Sequence, residues 1–160
     1  MAILGRARTA TGAGVITTLI LVLAFGNQAF TEWVARHSDG DTVWGWFLRV
    51  LTWPAWTFRT TASVRDLLAQ DLRAVLLVVF VALILAFSAI SVTAGSGLLA
   101  GWASLVFASA LAAFGTAFVA SHASWLGAFE AAGDGSRYGL FVGWLVGLAV
   151  IGTRRRRVVE

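Results

Sequence analysis

Cysteine and lysine are both missing from this chain, proline occurs once, at Pro54, and charge is sparse at 12% of residues. Without cysteine there is no disulfide, thiolate metal site, iron–sulfur cluster, catalytic thiol or lipid-modified N-terminal cysteine. Soluble domains carry about a quarter charged residues, so a chain with half that share belongs to another solvent class. Catalytic signatures are missing as well. No GxSxG elbow or HExxH zinc helix occurs, and the GSG at Gly95–Gly97 and GDG at Gly133–Gly135 lack the strand-to-helix setting of a phosphate loop. They read as turns, and no catalytic or cofactor-binding residue is expected.

What is present is apolar. Of 160 residues, 59% are hydrophobic, and the mean hydropathy is +0.83. A membrane-crossing helix needs about 20 mostly apolar residues, and the chain has room for four. The expectation is a single all-α integral membrane domain over 1–160, with four transmembrane helices at about 11–30, 73–92, 98–121 and 138–152. An interfacial loop at 31–72 and a basic tail at 153–160 complete it.

The first apolar run is centred on Val15–Phe25. Ala24 and Gly26 also fit a signal-peptide cleavage site, but Phe30, Trp33 and Val34 continue the helix beyond it, which favours a retained span. The 31–72 connection holds five of the eight tryptophans, Trp33, Trp44, Trp46, Trp53 and Trp56. Indole rings favour the headgroup level, so these read as interfacial anchors. Thr42–Thr52 reads as a helix lying on the membrane with Trp44, Phe47, Leu48 and Leu51 on its buried face, ended by Pro54. Ser63 with Asp66 makes a capping-box start, and the helix it opens, with Val64, Leu67, Leu68 and Leu72 on one apolar face, should run straight into the second span. Thr93–Gly97 is the hairpin turn to the third.

The third and fourth spans differ in kind. Ala100, Ser104, Ala108, Ala112, Thr116 and Ala120 form a row of small residues four apart, and Gly139, Gly143 and Gly147 form a second. Such GxxxG-like rows let helix backbones approach closely. The economical reading packs the two spans together along these rows; the alternative places one of them between subunits of a homo-oligomer. Gly133–Ser136 reads as the turn before the fourth span.

No Asp, Glu, Lys, Arg or His is expected inside the spans, Arg73 being counted with the outer connection, which argues against ion-coupled transport. The hydroxyls of Thr17, Thr18, Ser88, Ser91, Ser104, Ser109 and Thr116 can each return to a backbone carbonyl one turn back. His37 near Asp39 and Asp41, with His122 on the same expected surface, is the only material for a metal site. Zinc needs three or four converging ligands and nothing in the spacing supplies them, so no metal is expected.

All twelve basic residues are Arg, a bias of GC-rich bacterial coding that points to a bacterial inner membrane. Arg154, Arg155, Arg156 and Arg157 adjoin the last apolar run, where such a cluster attracts anionic lipid headgroups by about 1 kcal/mol per residue; a nucleic-acid partner is the weaker explanation of the high pI. Arginines split evenly between the two sides, but those near the termini are dense and nearly acid-free, which favours both termini in the cytoplasm. Size, four spans and a basic tail are shared with phage holins, small membrane proteins of conjugative plasmids and accessory subunits of larger complexes. That similarity is architectural and carries no residues across.

The expected function is a non-enzymatic structural or interaction subunit, with a small oligomeric pore lined by Ser104, Ser109 and Thr116 as the alternative. The topology is directly testable. Single cysteines at Ser38 and Ser136 should react with an impermeant thiol reagent on intact cells, and reaction only after lysis would invert the orientation.

Overall fold

The computed structural model describes residues 2–56, 64–88, 97–120 and 124–155, and among them all regular structure is helical. The elements are α1 (Ala2–Phe25), α2 (Gln28–His37), α3 (Val43–Leu51), α4 (Val64–Ser88), α5 (Gly97–Ala117) and α6 (Trp125–Arg155). Three of them, α4, α5 and α6, are long and apolar enough to cross a membrane; α1 and α2, bent by 54°, make a fourth when counted as one broken span. This is an all-α, multi-pass membrane protein.

The four long helices pack in a ring, α1 on α4, α4 on α5, α5 on α6 and α6 on α1. Each neighbour runs antiparallel. Leu85 of α4 and Val146 and Val150 of α6 meet Gly14 of α1, Arg73 of α4 reaches Thr116 of α5, and Gly147 of α6 faces Leu98 of α5. This is the up-down-up-down arrangement that short connections favour. Leu77, Val81, Leu105, Ala108, Ala112, Val142, Val146 and Val150 fill its centre with almost no exposed surface.

The α5–α6 contact is the closest. A Cβ added at Gly143 would stand 2.8 Å from the carbonyl oxygen of Trp102, and one at Gly147 would stand 2.5 Å from that of Leu98. Gly139 lies similarly against the backbone of Val106, and Gly135 against the carbonyl of Ser109. Each step of four along α6 is therefore matched by a step back along α5. The glycines do not face the Ala100–Ala120 row, as the sequence suggested, but the Leu98, Trp102, Val106 row beside it. Ser104, Ala108, Ala112 and Thr116 turn instead into the bundle interior, where they are fully buried. Trp102 adds a cross-helix hydrogen bond, Nε1 donating to the Leu140 carbonyl at 3.1 Å.

Other expectations need correction. The run from Tyr138 to Gly152, at fifteen residues too short to span unless the helix starts earlier or the bilayer thins, is part of a helix that starts at Trp125, with Ser124 capping it by accepting from the Gly127 N–H at 3.0 Å. Its 31 residues give roughly 45 Å of helix. Gly133–Ser136 is helical because α5 packs against Gly135 and because Asp134 and Arg137 pair at 2.8 Å along the helix, a tertiary override of weak local propensity. At the other end of the chain, the first long helix stops at Phe25 rather than near Phe30. Asn27 makes the break: its Nδ2 donates to the carbonyls of Leu23 at 3.0 Å and Ala24 at 2.7 Å, while its Oδ1 accepts from the Phe30 N–H at 2.8 Å. One amide thus closes one helix and opens the next.

α3 forms where expected, capped by Thr42, whose Oγ1 accepts from the Gly45 N–H at 3.0 Å. Of the face expected to meet the membrane, Leu48 and Leu51 pack against the protein. Gly45, Leu48 and Leu51 are buried, whereas Trp44 is 66% exposed and stacks on Phe47. The reason is that α3 packs on protein as well as facing outward, with Trp46 edge-on to Phe141 of α6 at 5.0 Å. α4 runs without a break from Val64, as expected, but Val64, Leu68 and Leu72 point outward from the bundle. Ser63 of the expected capping box and residues 93–96 of the expected hairpin lie outside the described residues.

Glycine tightness gives a paired test. Nothing lies within 4 Å of a Cβ at Gly133, so Gly133→Ala should stabilise by about 0.5–1 kcal/mol through helix propensity alone. Gly143→Ala should instead destabilise by about 1–3 kcal/mol through overpacking. Thermal unfolding in detergent reads both, and equal effects would remove the close-approach argument.

Candidate functional site at the mouth of the bundle

The end of the bundle that carries α2 and α3 is closed by residues 52–56, which cross it as a strap. Thr52–Pro54 forms a turn after α3, and Pro54 is fully buried against Gly26. Trp56 ties the strap to α1. Its backbone N–H donates to the Gly26 carbonyl at 3.0 Å and its indole Nε1 to that of Val22 at 3.2 Å. With Asn27, it supplies donors to the Leu23, Ala24 and Gly26 carbonyls that the end of α1 would otherwise leave without partners; the Val22 carbonyl also accepts from the Gly26 N–H at 2.9 Å.

Trp53 is the other half of the strap and the centre of the site. Its ring stacks on Tyr138 of α6 at 5.3 Å, and the guanidinium of Arg73 lies 5.5 Å from its centroid. Arg73 also reaches across to α5, Nε donating to Thr116 Oγ1 at a long 3.5 Å, and is attracted by Asp134 of α6. Asp134 is itself paired with Arg137. Three segments, the strap, α5 and α6, thus converge on one guanidinium of α4. A cation over an indole contributes about 0.5–2 kcal/mol depending on desolvation.

Tyr138 is fully buried, and its hydroxyl has no hydrogen-bond partner among the described residues. The nearby hydroxyls are satisfied locally. Thr116 Oγ1 donates to the Ala112 carbonyl at 2.8 Å and Ser109 Oγ to that of Leu105 at 2.7 Å; deeper in, Ser104 Oγ donates to Gly101 at 2.7 Å and Thr18 Oγ1 to Gly14 at 2.8 Å. Each returns to its own helix, as the sequence suggested.

The expected anchors therefore divide. Trp33, Trp44 and Trp46 remain substantially exposed, whereas Trp53 and Trp56 are drawn inward to brace Tyr138, Arg73 and α1. His37 stacks on Trp33 at 5.3 Å, and its Nδ1 lies 3.0 Å from the Trp33 carbonyl. Among the described residues no three of His, Asp and Glu gather as a metal site would require. His122 lies outside them, as do Arg156 and Arg157; Arg154 and Arg155 are the last helical residues of α6.

Arg73 and Tyr138 were missed as a pair, yet a signal existed. Ala69, Leu77, Val81 and Leu85 are buried at four-residue spacing along α4, and Arg73 occupies the vacant step of that row. Tyr138, Val142, Val146 and Val150 make the matching buried row on α6, each directly before or beside the glycine row.

No protein-family model, curated protein sequence or solved structure matches this chain.

The orphan hydroxyl yields a prediction. Leaving a buried polar group unpaired costs about 1–3 kcal/mol, so Tyr138→Phe should raise thermal stability in detergent, whereas Trp53→Ala should lower it by about 3–5 kcal/mol. A fall in stability for Tyr138→Phe would reveal a partner for the hydroxyl.

Proposed function

We propose that this chain is a non-enzymatic polytopic membrane protein that serves as a structural or interaction subunit. It crosses the bacterial inner membrane four times, with both termini cytoplasmic. The observation that carries this reading is how the small-residue rows are used. The glycines of α6 receive the backbone of α5, and Ser104, Ser109 and Thr116 are buried with their hydroxyls bonded to their own helices. Close packing through a GxxxG-like row of this kind builds a rigid body rather than a passage.

Support for the anchoring role comes from Trp33, Trp44 and Trp46, which keep exposed indoles on the α2–α3 side. The outward faces of the long helices, with Phe87, Phe107, Leu111, Trp144 and Leu148 exposed, offer large apolar surface to lipid and to partner helices of a larger membrane complex or a second copy. The Arg154–Arg157 cluster adjoins the cytoplasmic leaflet in this orientation and engages anionic headgroups.

The discriminating experiment is dye and ion leakage from liposomes reconstituted at high protein loading. Tight vesicles are expected; protein-dependent leakage would replace the subunit reading with the oligomeric pore, whose lumen would then lie between copies.

A further inference from the structure

At the mouth, where Thr116 near the close of α5 meets Arg73, the end of α5 and the start of α6 share a cluster of four rings. Phe118 stands edge-on to Trp125 at 5.1 Å, and Phe114 edge-on to Phe129 at 5.4 Å. The cluster is not a core. Trp125 and Phe129 are 70% and 65% exposed, and Leu126 beside them is 72% exposed. The outward side chains of α6 therefore change character twice. Leu148, Trp144 and Phe141 are apolar, the exposed Asp134–Arg137 pair follows, and Phe129, Leu126 and Trp125 are apolar again. An ion pair with bare apolar surface on both sides calls for layered surroundings, and a bilayer has such layers. Counted back from Arg154, a span of about 20 residues reaches Asp134, so the pair falls where hydrocarbon gives way to headgroups. From Arg154 to Trp125 is about 44 Å of helix, against about 40–45 Å for a bilayer with both headgroup layers.

We propose that the ring cluster between α5 and α6 is a membrane-binding surface seated in the headgroup layer of the mouth-side leaflet, with the lipid surface itself as its partner. This goes beyond the subunit reading, in which the indoles of α2 and α3 anchor the mouth and the start of α6 has no role. Three observations choose lipid over a docked protein. The length of α6 ends the helix within the outer headgroup layer, where its exposed rings meet lipid before they meet water. Indoles exposed at this end lie on three elements, with Trp33 on α2, Trp44 on α3 and Trp125 on α6. A bilayer imposes one level on all of them together, whereas a single docked partner does not. The residue types also fit, since an indole offers an apolar body and one N–H donor, the pair of properties that the headgroup level accommodates.

The test uses the absence of cysteine from the chain. Single spin-labelled cysteines are placed in the full protein in lipid nanodiscs, and collisions are measured with oxygen, which concentrates in lipid, and with a water-soluble nickel chelate. Leu126→Cys and Phe129→Cys report on the cluster, Leu148→Cys supplies the hydrocarbon reference and Asp41→Cys, on the exposed turn after α2, the aqueous one. Nickel collisions at Leu126 and Phe129 should fall severalfold below those at Asp41, with oxygen collisions retained. Nickel collisions equal to those at Asp41 would put the cluster in water and overturn the proposal. Loss of both kinds of collision would put protein over the rings and overturn it equally. Thermal unfolding checks each variant, and the strong exposure of Leu126 keeps the test readable should Phe129→Cys not fold.

Discussion

The backbone-to-backbone approach of α5 and α6 is the constraint from which the rest of the fold follows. In hydrocarbon, helices gain little from hiding apolar side chains, so association rests on dispersion at short range and on polar contacts. Glycine at 135, 139, 143 and 147 removes the side chains that would hold α5 away. With α5 seated there, the valine row at 142, 146 and 150 is carried into the centre of the ring, where it meets the leucine and valine row of α4. One helix therefore does two jobs with adjacent rows: glycines fix the distance to α5, and the neighbouring bulky residues fill the core.

The second constraint is the broken end of α1. Carbonyls left unpaired at a partly buried helix end are costly. Asn27 and Trp56 together supply donors to the carbonyls of Val22, Leu23, Ala24 and Gly26. Because Trp56 is thirty residues along the chain from Gly26, this repair can be made only by folding α2 and α3 back over the bundle. The lid is thus required by the bend that precedes it. Its position in turn brings Trp53 onto Tyr138 and under Arg73.

Helical class, membrane character, the α3 boundaries and the continuity into α4 were all legible in composition and periodicity. The glycine row of the last helix was also visible at Gly139, Gly143 and Gly147. What was not legible was the partner of that row: on α5 the Ala100–Ala120 row and the Leu98, Trp102, Val106 row run side by side at the same four-residue spacing, and only the packing of the other helices decides which of them meets the glycines. The small residues of α5 wind into the interior, and the contact falls to Leu98, Trp102 and Val106. The glycine-rich stretch at 133–136 misled for a related reason: glycine marks turns by local preference, but here Gly135 answers to a neighbouring carbonyl 26 residues away at Ser109. Trp53 and Trp56 were read by residue type as headgroup anchors; their contacts with Tyr138, Arg73 and the end of α1 depend on tertiary packing and left no mark in the sequence.

Arg73 joins these threads. It occupies a step of the buried row on α4, where a hydrocarbon side chain would pack with less desolvation cost. What offsets that cost is the whole mouth of the bundle: the Trp53 ring from the strap, Thr116 from α5, and the charge of Asp134 from the part of α6 that composition alone assigned to a turn. Each partner is present only because a separate element is in place: the strap through Trp56, α5 through the glycines, and the extended α6 through Gly135. The guanidinium therefore reports on the assembly of the mouth as a unit. If any one of those elements were displaced, a partly buried cation would lose one of its partners. This coupling gives the membrane body a single, well-defined shape at the surface where it carries its exposed tryptophans.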